Sequence, residues 1–204
     1  MNPQSDTNGS AKRAERKMNT GISPNVLRLV ESAIMIGLAL VLNMIKIYKL
    51  PLGGSVTLCS MLPILLIGYK YGPKWGMLTG LAYGTVKLLI SLGEILSWGL
   101  TPAALILSFI FDYLLAFTAL GLAGIYGKGL KQYIGGMFTA VLLRFAFHVA
   151  AGVTSYASWL PKEWKGHLFL YSVAYNGSFL LPDFIICIIV ALLIYKPIRK
   201  FLEG

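Results

Sequence analysis

Long apolar stretches, each closed by a short polar or Gly/Pro-containing break, recur along almost the whole chain after its first two dozen residues. A helix of about 20 apolar residues is long enough to cross a bilayer. The breaks divide the chain into six predicted spans, at about 26–47, 56–69, 75–92, 101–126, 133–156 and 168–195. Ser23-Pro24-Asn25 and Thr101-Pro102 are predicted helix starts. The second span is short, and Pro63 within it predicts a kink. Pro51, Gly53 and Gly54 mark Lys49 to Ser55 as a loop. Ala33 and Gly37, four residues apart on the first span, offer a face of small residues for close helix approach, either within the bundle or to a partner. Residues 1–24 are polar, carry Lys12, Arg13, Arg16 and Lys17, and lack an apolar segment directly after those charges. They are expected to form a disordered cytoplasmic tail rather than a cleaved signal, leaving residues 25–204 as one membrane domain.

Composition supports the same class. Of the 204 residues 56% are hydrophobic and only 13% charged, against about 45–50% and about 25% in ordinary soluble domains. The formal charge of +10 invites a nucleic-acid reading. However, the cations lie mainly in tails and short loops, as positive-inside topology requires. With six spans both termini share one side with the Lys70/Lys74 and Lys128/Lys131 turns, and that side is assigned to the cytoplasm. Cys59 and Cys187 fall in apolar segments without metal-site spacing and are expected to be core residues. No metal-ligand cluster, Gly-x-Ser-x-Gly elbow or Walker A sequence is present in the sequence.

The polar residues inside the apolar segments are the candidates for function, because burying them in a membrane is costly. Arg144, His148, Gly152 and Tyr156 recur every four residues and share a slowly drifting helix face. Tyr171, Tyr175 and Asn176 open the next span. An imidazole, an amide and several aromatic rings can thus meet near one helix–loop–helix junction, with Gly152 leaving a gap between them. Such a cluster either holds a small polar ring compound or only ties two helices together. Asp112, near the middle of the fourth span and followed by Tyr113, falls on the same outer half of the bundle. Lys87 is expected to snorkel to an interface. Arg144 and Asp183, at similar predicted depths, are expected to form a structural ion pair.

Several of these segments, taken together and in order, resemble the thiamine-specific S component (the ThiT family) of energy-coupling factor (ECF) transporters. They are Leu50-Pro51-Leu-Gly53-Gly54-Ser55-Val56, Met61-Leu62-Pro63-Ile64, Asp112-Tyr113, Arg144-Phe-Ala-Phe-His148-Val-Ala-Ala-Gly152 and Tyr171-Ser-Val-Ala-Tyr175-Asn176-Gly177. The resemblance implies an all-α, six-transmembrane-helix bundle with an outward-facing vitamin site. It also implies docking on a module of one transmembrane coupling subunit and two ATP-binding subunits. By motif, the acid that meets the aminopyrimidine falls on Asp112, with Tyr113 beside it, and the family histidine, glycine, tyrosine and asparagine fall on His148, Gly152, Tyr171 and Asn176. Tyr156 stands where some members carry a stacking tryptophan, with Trp159 or Trp164 nearby to compensate. A further tryptophan found near the first loop of members has no match, since Gly53-Gly54-Ser55 occupies that region. The family's use of small residues on the first helix points to Ala33 and Gly37 as the docking face.

Thiamine chemistry agrees with that residue set. A carboxylate suits the aminopyrimidine and complements the thiazolium cation, aromatic faces suit both rings, and His148 and Asn176 can bond the remaining polar atoms. The expectation is a multi-pass prokaryotic membrane subunit that captures thiamine, with no catalytic residues, cofactor, metal or nucleic-acid partner. The alternatives are an S component for another vitamin or a thiamine precursor, and an intramembrane enzyme using Asp112 and His148 as acid and base.

Overall fold

In the computed structural model, residues 23–203 are described. The tail expected over residues 1–24 therefore lies, apart from Ser23 and Pro24, outside the described residues. Residues 32–203 form one compact unit, while residues 24–31 are the first turns of helix α1 (Pro24–Met44). A two-stranded antiparallel hairpin follows, β1 (Lys46–Lys49) and β2 (Ser55–Thr57), with a 3-10 turn at Pro51–Gly53. Then come α2 (Leu62–Tyr71), α3 (Pro73–Leu96), α4 (Pro102–Gly124), α5 (Leu130–Thr154) and α6 (Leu168–Glu203). Both predicted starts hold: α1 begins at Pro24, and Thr101 caps α4, its hydroxyl accepting from Ala104 N at 3.3 Å.

Among the described residues five helices, all except α2, are long and apolar enough to cross a membrane. The expected second span is corrected: α2 has ten residues and is only about 15 Å long. Pro63 sits in its first turn, where a missing N–H costs nothing, so no kink results. The loop expected at Lys49 to Ser55 and the start of that span are instead the hairpin, a small β element in an otherwise helical bundle. Hairpin and α2 together make one traverse, so the alternation of chain direction survives. Every residue of α2 from Leu62 to Tyr69 is buried, because the longer helices surround it.

Glycines let the backbones meet around α2. A Cβ on Gly68 or Gly76 would run into the backbone of Gly121, so α2, α3 and α4 touch main chain to main chain there. One end of the bundle is tied by Lys128, in the turn after α4. Its Nζ donates to the carbonyls of Tyr69 (2.7 Å), Lys70 (2.8 Å) and Leu202 (2.8 Å), the open C-terminal ends of α2 and α6. Partial burial holds this ammonium below its ordinary pKa, opposed by the nearby Glu203 carboxylate. The hairpin tip, Trp98, Tyr156 and Tyr175 lie at the other end.

Ala33 and Gly37 are exposed on α1, and nothing lies within 4 Å of a Cβ added at Gly37. Packing of this face inside the bundle is thereby excluded. Cys59 and Cys187 are buried and unbridged, as expected of core residues.

Candidate ligand-binding site

The π-helical segment Phe109–Leu115 carries Asp112 in α4. Such widened turns are frequent at functional sites. The sequence gives no sign of this one, since π-helical bonding has no residue signature in an apolar run.

Asp112 and His148 meet across α4 and α5. His148 Nδ1 is 2.7 Å from Asp112 Oδ1, and His148 Nε2 accepts from Arg144 Nε at 3.2 Å. Because Nε2 accepts, Nδ1 carries the ring proton and donates it to the carboxylate. The result is a relay of guanidinium, neutral imidazole and carboxylate, with both partners of the inner pair largely covered (side chains 11% and 15% exposed). Arg144 is buried, its guanidinium lies 4.4 Å from the Phe117 ring centroid, and its Nη1 has no hydrogen-bond partner.

These groups line a cavity of about 140 Å³ at the hairpin end of the bundle. All eight candidate ligand residues, Asp112, Tyr113, His148, Gly152, Tyr156, Trp159, Tyr171 and Asn176, lie on its wall, as does Arg144. Trp159 is nearly half exposed and sits at the rim, whereas Trp164 packs outside against Tyr171. Tyr156 donates or accepts at Ser108 Oγ (2.9 Å). The amide nitrogen of Asn176 bonds Ser172 O (2.9 Å), Ser172 Oγ (3.3 Å) and His148 O (3.3 Å). One side chain therefore joins α5 to α6 and also faces the cavity, so the two readings of the polar cluster are not exclusive.

Three expectations are corrected. Gly152 does not leave a gap: a Cβ there would collide with Ser172 Oγ, so the glycine allows α5 and α6 to close on each other. Arg144 and Asp183 do not form an ion pair. Asp183 Oδ1 instead accepts from Thr57 N and Thr57 Oγ1, both at 2.9 Å, tying β2 to α6. Helix depth could not foresee this, because the partner comes from a hairpin the sequence hides. Lys87 does not snorkel; it donates to Asn43 Oδ1 at 2.5 Å and lines the cavity.

The wall also contains residues that the sequence alone did not single out. Trp98 follows α3, and its ring centroid lies 5.9 Å from that of Tyr156. Tyr175, noted only as part of a polar opening, anchors the hairpin tip: its hydroxyl accepts from Gly54 N at 3.2 Å and donates to Pro51 O. Glu94 lines the mouth and pairs with Lys49 at 3.3 Å. A chain of contacts from one end of the sequence to the other could not be read from local periodicity.

Comparison with known proteins adds an independent line. The profile of the family described as thiamine transporter protein (Thia_YuaJ) matches residues 29–203. The chain is 33% identical over 197 residues to thiamine transporter ThiT of Bacillus subtilis (strain 168), covering 89% of this chain and 97% of that protein. Its fold is similar to that of ThiT from Listeria monocytogenes, with a TM-score of 0.71, 24% identity, and 88% and 99% of the two chains covered. It is also similar to the S component of a bacterial ECF transporter, with a TM-score of 0.55, 22% identity, and 87% and 98% covered.

Proposed function

The chain belongs to the thiamine transporter protein family, and from that premise we propose that it is the thiamine-binding S component of an ECF transporter, a multi-pass membrane subunit. It captures thiamine and delivers it to a partner module for ATP-driven uptake. The observation that carries this reading is the Asp112–His148 pair, a covered carboxylate facing a cavity rimmed by aromatic rings. Thiamine is a cation with an aminopyrimidine. Asp112 offers it a charge-assisted acceptor, while Tyr113, Tyr156, Tyr171 and Trp159 offer ring faces. His148, oriented by Arg144, fixes the carboxylate from behind, and Gly152 and Asn176 hold α5 and α6 together around the ligand.

The bundle end that carries Lys70, Lys128 and Lys131 faces the cytoplasm by charge bias, so the cavity opens outward and both termini are cytoplasmic. The Ala33/Gly37 face of α1, exposed and free of side-chain bulk, is the docking surface for the transmembrane coupling subunit, which bears two ATP-binding subunits. The protein binds its substrate without converting it. Titration of purified protein with thiamine and other small vitamins, followed by product analysis, tests this function. Tight binding of unchanged thiamine is expected; preference for another vitamin, or chemical conversion, overturns it.

A further inference from the structure

We propose that Trp98 is the aromatic wall that holds the cationic ring of the ligand at the cavity mouth, and that glycine at position 53 is the condition for its placement. The inference rests on the thiamine reading above. Trp98 lines the cavity from the turn after α3 and is fixed from two sides. On one side its ring stands edge-on to Tyr156, with centroids 5.9 Å apart at 64°, and Tyr156 is itself held by Ser108. On the other side lies the hairpin tip. A Cβ added at Gly53 would be 3.2 Å from Trp98 Cη2 and 3.5 Å from Cζ2, so the indole edge rests directly on the glycine. Gly53 also has φ +92°, a conformation that side chains disfavour. Any other residue there would be strained and would push on the indole.

Among the chain's four tryptophans this position is distinctive. Trp75 donates its Nε1 to Ser32 Oγ at 2.9 Å and is not on the cavity wall. Trp164 packs on Tyr171 outside the cavity, and Trp159 is 47% exposed at the rim. Trp98 alone of the four is both on the wall and clamped by neighbouring residues of two other elements. A cation within about 6 Å of a ring centroid is attracted to its face, and tryptophan is the strongest of the aromatic partners. With Asp112 supplying the carboxylate deeper in the cavity, a pre-positioned indole at the mouth completes a site for a cation that is both aromatic and charged.

The test compares thiamine with an isosteric analogue whose thiazolium is replaced by a neutral thiophene, titrated into wild type, Trp98→Leu, Trp98→Phe and Gly53→Ala. Trp98→Leu should weaken thiamine binding by about five- to thirty-fold and the neutral analogue by less than about three-fold. Trp98→Phe should show a smaller difference of the same sign. If the leucine variant does not fold, the phenylalanine variant decides by itself. Gly53→Ala should weaken thiamine binding in the wild-type background more than in the Trp98→Leu background, because the glycine acts through the indole. Equal losses on the charged and neutral ligands, or no loss, overturn the assignment to Trp98 while leaving the thiamine reading intact. Failure of wild type to bind either ligand overturns both.

Discussion

Asp112 and His148 are 36 residues apart in the chain, yet Oδ1 of one and Nδ1 of the other lie 2.7 Å apart on the cavity wall. The histidine spends its second nitrogen on Arg144, so the carboxylate is oriented by a side chain that is itself oriented. Asp112→Asn keeps an acceptor for His148 but removes the charge. It should weaken thiamine binding about ten- to hundred-fold, since charge-assisted hydrogen bonds contribute about 1.5–3 kcal/mol. The neutral-ring analogue should lose less. Calorimetric titration checks this; unchanged affinity in a folded variant would make Asp112 a structural residue.

Asp183 and Thr57 join the hairpin to α6 through two bonds to one carboxylate oxygen. Asp183→Leu leaves the buried N–H of Thr57 without an acceptor, at a cost of about 1–3 kcal/mol, while the Thr57 hydroxyl can still donate to Ser60 Oγ at 2.7 Å. Asp183→Asn retains an acceptor oxygen and should be much milder. Thermal unfolding in detergent without ligand separates the two. Equal destabilisation by both variants would mean that charge, and not acceptor geometry, matters at this site.

Gly152 is where α5 and α6 approach most tightly at the site, with Ser172 Oγ occupying the space a Cβ would need. Gly152→Ala should destabilise the apo protein by about 1–3 kcal/mol, as overpacking does, and lower thiamine affinity with it. The second change Ser172→Gly should recover most of both losses. Failure of that rescue, measured by the same melting and titration assays, would place the effect elsewhere than in this contact.

Ala33 and Gly37 present an exposed face with no Cβ contact at Gly37. Replacing either by Trp should stop thiamine uptake in cells while purified protein binds thiamine normally. Radiolabelled uptake beside an in vitro titration makes the comparison. Normal uptake in both variants would remove α1 from the docking surface.

The sequence by itself determined the class, the long apolar helices and many of the residues that line the cavity. Apolar runs long enough to span a bilayer leave few alternatives, because backbone polar groups in lipid must bond within their own segment. The four-residue spacing from Arg144 to Tyr156 put one helix face on the cavity wall, and the cost of burying Asp112, His148 and Asn176 in such runs made them conspicuous. What the tertiary structure decided lies between segments. Ten-residue α2 and the hairpin look like one span in a hydropathy pattern, since a helix sheathed in protein and one facing lipid are equally apolar. Asp183 found Thr57 and not Arg144 because hydrogen-bond partners follow three-dimensional approach, which depth along a helix does not encode. Trp98, Gly53 and Tyr175 likewise meet from three separate elements, and only packing brings an indole, a glycine without a side chain and a phenol to the same mouth.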